Sequence, residues 1–450
     1  MAGRVTALSD CIYLRPPQGF IAAYMVPSPV TMATRELDHG EGSPLRDSVP
    51  SAGPLLDGPE LSGPGADARR LGRRWIILGS LAPFVLVVLY FAISYADYML
   101  KPTSETFSER SAEWVRDDVP FGNWIIDTAE RDTADAPRKG GPGLLRLPSV
   151  GLSPVRPVVK HAAHVAYRPP PIKPVFATPL RGEGVWRRTG PSVDDGPPVL
   201  VTSYRPNTEY PSIVAYVLWI DHVRTDLAYY PGRYEPPSAV DRGPMMVPID
   251  QRYRLLATFN AGFTHVDTDN GSAVDGHTNE PLIDGNATLV GYRDGRVNIV
   301  KWTGGPSAPA DVAWARQSLT PILWDRKLNP ELSTDPNSTQ WGYSLGGATF
   351  TPRTAVGIDA HGNVMFVVAS EATVISLAQI LQHIGAVRGM EFDINPAWHT
   401  MITYSHKDGL GPTMVEPQPE QSPDRYLVPD DRDFMAVFAK RPGPVTVPFK

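Results

Sequence analysis

Residues Trp75 to Tyr95 form an unbroken run without one charged side chain. As an α-helix rising ~1.5 Å per residue, the run is about 31 Å long, close to a hydrocarbon core of roughly 30 Å. Nothing else in the chain restricts folding as much, because segments on either side of a bilayer cannot share a core. Arg69, Arg70, Arg73 and Arg74 precede the run, and Asp97 and Lys101 follow it. The positive-inside rule places the N-terminus in the cytoplasm and the chain beyond residue 100 outside. Trp75, Tyr90, Tyr95 and Tyr98 fall near the interfaces, and Pro83 is tolerated within a spanning helix. The alternatives are a buried core helix and a cleaved signal peptide. The length and the arginine cluster speak against the first, and the long polar tail ahead of the run speaks against the second. The expectation is a single-pass signal anchor over 75–95, with the lipid bilayer as a partner.

The flanks support that division. Residues 1–70 are rich in Pro, Gly, Ser and Asp without apolar periodicity and read as a disordered cytoplasmic tail. The 48 prolines are roughly twice the ordinary share and gather before residue 240. A net charge of −6 gives no support for nucleic-acid binding. Cys11 is the only cysteine, which leaves no disulfide or cysteine-based zinc site within one chain. In 104–130, Trp114, Val115, Trp124, Ile125 and Ile126 lie among many charges. This reads as short amphipathic helices, broken near Pro120 and Gly122, on the outer membrane surface. Residues 132–178 read as an extended Pro-rich linker.

From Leu180 the pattern changes. Ser212–Ile220, Leu227–Tyr230, Arg254–Asn260, Ala287–Tyr292 and Arg296–Trp302 read as strands by their apolar, β-branched and aromatic content. Asp294-Gly295 signals a hairpin, as does Ala360-His361-Gly362-Asn363 between Ala355–Asp359 and Val364–Ala369. One helix stands out: Thr373 caps it, Val374, Leu377, Ala378, Leu381 and Ile384 form its apolar stripe, and Gly385 ends it. Phe434–Ala439 reads as a closing strand. The predicted fold is α+β, a strand-rich mixed domain over 180–443 with one main helix, preceded by a single transmembrane helix and the Pro-rich linker.

Several motifs carry chemistry only in the right context. Gly342-Tyr343-Ser344-Leu345-Gly346 matches a nucleophile elbow in letters. It lacks the buried strand before it and the helix after it that such an elbow needs, so a serine hydrolase is not expected. Asp267-Thr268-Asp269-Asn270-Gly271-Ser272 resembles the start of a calcium loop, but its glycine comes one place early and no glutamate closes it. A divalent cation at a different kind of site is the one cofactor left open. Thr258-Phe259-Asn260-Ala261-Gly262-Phe263 is a strand ending in an Asn-x-Gly turn, where asparagine offers an amide and glycine allows close approach. Arg353 precedes an apolar strand, with a surface salt bridge as its ordinary role. Glu391 and Asp393 alternate with Met390, Phe392 and Ile394, which on a strand sends both carboxylates to one face. Ordinary half-buried strands alternate in the same way.

Together these segments resemble the phosphodiester glycosidase family over about residues 180–440. The resemblance is carried by Gly182-Glu183-Gly184-Val185-Trp186, Phe259-Asn260-Ala261-Gly262-Phe263, Arg353-Thr354-Ala355-Val356-Gly357 and the helix ending Ile384-Gly385-Ala386. Bacterial membrane-anchored members look most similar, through Met390-Glu391-Phe392-Asp393-Ile394-Asn395. The family's usual turn after this aspartate is rich in glycine, whereas Ile394, Asn395 and Pro396 stand here. A glycine turn brings backbone N–H groups close to a phosphate. Without it, phosphate binding is expected to lean on side chains such as Arg353, Asn395 or Arg316.

The resemblance implies an extracytoplasmic hydrolase of sugar-1-phosphodiester bonds in envelope glycans, with a phosphorylated glycan as substrate. Arg353 would neutralise the phosphate, and Asn260, beside Gly262, would hold a sugar or phosphate oxygen. Asp393 would act as base or nucleophile at the anomeric carbon, with Glu391 as its partner. His265, Asp275 and His277, in the loop after Asn260, would line the same pocket. The rival is a non-catalytic envelope module that binds phosphoglycans, and a third option is a scaffold for envelope assembly.

Overall fold

The computed structural model describes residues 66–133, 137–148, 167–193, 196–335, 339–342, 349–418 and 421–440. The tail to residue 65 with Cys11, much of the linker, and the elbow-like motif from Tyr343 onward lie outside these. By internal contacts the chain divides into Met1–Gly72 and Arg73–Lys450. Of the first unit only the opening turns of one helix are described.

That helix, α1 (Ala66–Leu100), is followed by α2 (Phe107–Asp118) and α3 (Gly122–Thr133). Ala82–Leu100 is the one stretch among the described residues long and apolar enough to cross a membrane, with 6% of it buried. Thr106 and Glu109 form a capping box that starts α2. The helix stops at Val119, and Pro120 and left-handed Phe121 separate it from α3, at the expected break. The C-terminal carbonyls of α1 are capped from α2: Arg110 donates through Nη1 to Met99 O at 2.7 Å and through Nη2 to Tyr98 O.

The remaining elements are mostly strands: β1 (Arg187–Arg188), β2 (Val199–Tyr204), β3 (Ala215–Ile220), β4 (Thr225–Tyr230) and β5 (Leu255–Asn260). Then come the short α4 (His265–Thr268), β6 (Ser272–Val274), β7 (His277–Glu280), β8 (Ala287–Tyr292), β9 (Val297–Lys301) and β10 (Val312–Gln317). They are followed by β11 (Leu323–Trp324), β12 (Lys327–Leu328), β13 (Thr351–Asp359), β14 (Val364–Ala372) and α5 (Val374–His383). The last are β15 (Ala386–Glu391), β16 (Met401–Ser405), β17 (Gly411–Met414) and β18 (Phe434–Ala439). They build one eight-stranded sheet, β1-β2-β3-β14-β13-β15-β11-β12, and two five-stranded sheets, β7-β6-β10-β8-β9 and β17-β16-β5-β18-β4. The α+β, strand-rich reading therefore holds.

Alternation along the central strands explains the layering. Leu218, Val356, Phe366 and Phe392 enter a core shared with Phe259, Leu289 and Met435 of the smaller sheets. Their neighbours Val217, Ala355, Met365 and Val367 turn to the opposite face and pack under Leu377, Ala378 and Leu381 of α5. The helix sits very close to the sheet, since a Cβ on Gly389 would lie 2.5 Å from Leu381 Cδ1. Gly385 ends α5 at φ +96°, a left-handed conformation that suits glycine.

Two local expectations shift. Arg353 lies inside β13 rather than ahead of it, because an irregularity in register between Thr351 and Arg353 accommodates Pro352. The strand carrying the carboxylates is covered on both faces, not half exposed. Glu391, the last residue of β15, is 2% accessible in its pair with Arg353, and Asp393, beyond the strand end, is 4% accessible. The two carboxylates therefore do not share one strand face, contrary to the expectation.

Candidate active site

Three segments meet at the hydroxyl of Thr354. Its Oγ1 accepts from Asn260 Nδ2 at 3.1 Å and from the Asp393 amide at 3.0 Å, and it lies 3.3 Å from Asp393 O. The backbone continues the pairing, with Thr354 N donating to Asp393 O and Phe392 N to Thr354 O, each at 2.8 Å. The ends of β5, β13 and β15 are thereby tied at one point. Asn260 is fully committed there, donating also to Ala261 O at 2.8 Å and accepting from Thr400 N at 3.0 Å.

Behind this junction Arg353 and Glu391 form a buried ion pair, Nη1 to Oε1 at 2.6 Å, with Arg353 Nε donating to Ala372 O at 2.9 Å. Burial pushes the Glu391 carboxyl up to about 7 against the pull of Arg353. Asp393 faces the other way, into a cavity of about 1010 Å³ that neither Arg353, Glu391 nor Asn260 lines. Its Oδ1 accepts from the amides of Ile394 at 2.7 Å and Asn395 at 2.9 Å. Its Oδ2 faces Arg432 Nη2 at 3.3 Å. Burial raises the Asp393 carboxyl to about 6, against the lowering effect of Arg432 and those two amides. A carboxyl poised there is largely ionised at neutral pH yet basic enough to take a proton.

Arg432 belongs to a run of four charges before β18, each tied to a different segment. Asp430 pairs with Arg425 at 3.0 Å, Asp431 with Arg233, Arg432 with Asp393, and Asp433 with Arg316 at 2.7 Å. Burial works against the charge on Arg432, but Asp393 and Glu235 hold its pKa above the ordinary guanidinium value. Arg233, Glu235 and Arg242 from the loop after β4 also line the cavity. The facing wall comes from α1 and α2, including Tyr98, Glu113 and Arg116. Glu113 Oε1 accepts from Trp398 Nε1 at 3.2 Å, which fixes α2 to the loop that follows Asp393.

The other sequence candidates are placed as follows. Asn395 lines the cavity. Arg316 is fully buried and committed to Asp433, Gln317 O and Phe263 O. Gly262 packs against it, since a Cβ there would lie 3.5 Å from Arg316 Cζ. His265 is buried with Nδ1 2.6 Å from Glu235 Oε2, and its pKa is lowered to about 3 by burial and by Arg316. Asp275 and His277 lie at the turn between β6 and β7 and do not line the cavity. Among the described residues no group of three or more His, Cys, Asp or Glu is arranged to hold a metal ion.

Thr354, Arg432, Arg233, Arg242 and Glu235 were not singled out from the sequence. The signal for Arg432 was the run Asp430-Asp431-Arg432-Asp433 directly before an apolar strand, an unusual density of charge at a core boundary.

Residues 253–393, less than half of the chain, match the family model described as phosphodiester glycosidase. No curated protein matches the chain. Among solved structures, the chain is similar to the catalytic domain of zebrafish N-acetylglucosamine-1-phosphodiester alpha-N-acetylglucosaminidase, auto-inhibited by its pro-peptide. That likeness has 13% identity and a TM-score of 0.36, over 56% of this chain and 87% of that one. A hypothetical protein from Synechocystis is similar at 12% identity and a TM-score of 0.34, over 56% of this chain and 64% of that one. The stretch that matches this family model holds β5, β13, β15 and the Asp393 carboxylate.

Proposed function

We propose that the protein is an extracytoplasmic hydrolase, anchored by α1 with its N-terminus in the cytoplasm, that cleaves sugar-1-phosphodiester bonds in envelope glycans. The observation that carries this reading is a buried carboxylate on the wall of a large cavity, raised to about 6 and faced by a guanidinium. The folded domain would extend over about 180–443, with the Pro-rich segment before it as a linker.

In the proposed reaction Asp393 takes a proton from water as the water oxygen bonds to the anomeric carbon. The bond from that carbon to the phosphate oxygen breaks, and its electron pair leaves with the phosphate. The products are a free sugar and a phosphomonoester, and the proton on Asp393 passes to solvent. Arg432, with Arg233 and Arg242 on the same cavity wall, would stabilise charge that grows on the leaving phosphate. Thr354 bonds the Asp393 backbone and Asn260 bonds Thr354, so their proposed part is positioning, as is that of the neighbouring Arg353–Glu391 pair.

One observation favours the non-catalytic reading. The amides of Ile394 and Asn395, where the family's glycine turn would offer N–H groups, are occupied by the Asp393 carboxylate itself. Incubation of the full chain with a panel of sugar-1-phosphodiesters, with and without chelator, separates the readings by released sugar. Release that disappears in Asp393→Asn supports the hydrolase. Binding without release establishes the phosphoglycan-binding module, and unchanged release in Asp393→Asn removes Asp393 from the mechanism.

A further inference from the structure

We infer that the group on the far side of the substrate's phosphate is a membrane lipid, so that the substrate is a glycosyl lipid phosphate. This rests on the hydrolase reading above and deepens it. The observation is a shared wall: the cavity that Asp393 lines is also lined by Ser94, Asp97, Tyr98 and Lys101 at the end of α1.

Between Ala82 and Ile93, α1 is dressed for lipid. Phe84, Leu86 and Ile93 are 66%, 67% and 68% exposed, and Tyr98 is the only buried residue between Ala82 and Leu100. A helix segment with large apolar side chains this exposed is unlike a core helix. From Ile93 to Asp97 the helix climbs only about 6 Å. The cavity wall therefore begins within one or two turns of the lipid-facing surface, at headgroup depth.

Hydrogen bonds keep it there. Helix α2 turns back along α1, with Arg110 on the carbonyls of Tyr98 and Met99, Ser111 Oγ 2.8 Å from Tyr95 Oη, and Trp114 Nε1 donating to Ser94 Oγ at 3.0 Å. The Trp114 ring also meets Phe91 edge-on at 6.1 Å. This antiparallel descent carries the turn between α2 and α3 toward the apolar half of α1. Exposed side chains cluster at that turn: Phe121 is 83% and Trp124 69% accessible. Aromatic side chains on short amphipathic helices are suited to the bilayer interface. On the domain side, Tyr98 stacks on Tyr234 at 5.9 Å and Lys101 donates to Tyr234 Oη at 2.9 Å.

A substrate wholly in water gains nothing from a site fixed at this depth. A lipid phosphate carrying a sugar has its phosphate at the same depth, its chain in the bilayer and its sugar free to enter the cavity. Cleavage at the anomeric carbon would release the sugar to water and leave the phosphomonoester on the lipid.

The test uses the full chain in lipid nanodiscs with two substrates that share one sugar. One is the polyprenyl phosphate diester in the same bilayer, and the other is the water-soluble methyl phosphate diester. Released sugar is expected to show at least about a tenfold preference in kcat/KM for the lipid diester. The double variant Phe121→Asn/Trp124→Ser, at two residues that do not themselves line the cavity, is expected to lose most of that preference while cleaving the soluble diester as before. Equal cleavage of both diesters, or a preference unchanged in the double variant, overturns the lipid inference and leaves the hydrolase reading intact. Cleavage of neither overturns both.

Discussion

Arg432 Nη2 stands 3.3 Å from Asp393 Oδ2, joining the charged loop before the last strand to the carboxylate on the cavity wall. Arg432 is the strongest of the influences that hold the Asp393 pKa down against burial. If Asp393 acts ionised, kcat/KM rises with pH through about 6 and then levels. Asp393→Asn is expected to lower kcat by about 10²–10⁴-fold, the usual worth of a general base. Arg432→Ala removes the lowering influence, so the inflection should move to higher pH. A pH–rate profile of Arg432→Ala with its inflection unmoved would assign that limb to another group.

The Arg353–Glu391 pair makes a different prediction, one about stability. Both partners are buried, and Glu391 Oε2 has no hydrogen-bond partner among the described residues. Arg353→Ala leaves the buried Glu391 carboxyl without its partner, at a cost of about 3–5 kcal/mol in urea unfolding above about pH 7, where the parent pair is ionised. The double variant Arg353→Met/Glu391→Leu removes both charges and keeps the volume, so it should recover most of that loss. A double variant as unstable as the single one would show that the packing of Arg353, not its charge, matters.

Thr354 offers a test of the junction itself. Thr354→Val keeps the branched shape that β13 needs but removes the oxygen that accepts from Asn260 and from the Asp393 amide. Two buried donors are left without that acceptor, each worth about 1–3 kcal/mol. Thr354→Ser should retain most of the stability, and sugar release should follow stability in the same order. Equal denaturation midpoints for Thr354→Val and the parent chain would remove the hydroxyl from this role.

How much of this could be read in advance depends on the range of each interaction. Local periodicity placed Ala287–Tyr292 and Phe434–Ala439 as strands with their observed bounds, and Thr373 and Gly385 marked the ends of α5. The segments around Asn260, Arg353 and Asp393 were picked out together, and Thr354 does join them. Sequence spacing gave no means of telling which groups face the cavity. Arg353 turns to Glu391 and Arg316 to Asp433, each a partner distant along the chain. Arg432 reaches Asp393 across 39 positions, and the nearest sequence signal, a dense charge run, names no partner. The wall supplied by α1 and α2 depends on how those helices dock, which amphipathic patterning alone does not specify.

His399 and Glu416 form a buried pair away from the cavity, with His399 Nε2 3.0 Å from Glu416 Oε2. Burial lowers His399 to about 3, while burial raises Glu416 to about 8 against the hydrogen bond from Gln418. The pair is therefore neutral near pH 7, with the glutamic acid proton available to donate to the imidazole. Glu416 is raised above its unfolded value of 4.5, so its stabilising share is full below that value and lost as pH climbs through about 8. His399 is depressed from 6.5, so its share is present above that value and lost as pH falls toward about 3. Glu416→Gln keeps a neutral donor to His399 but has no proton to lose. Unfolding near pH 8.5 should then show the variant more stable than the parent chain by an amount on the order of a few kcal/mol, a gap that narrows toward about pH 5. A gap of constant size across that range would mean that Glu416 titrates alike in the folded and unfolded chain, and the neutral pair would have to be abandoned.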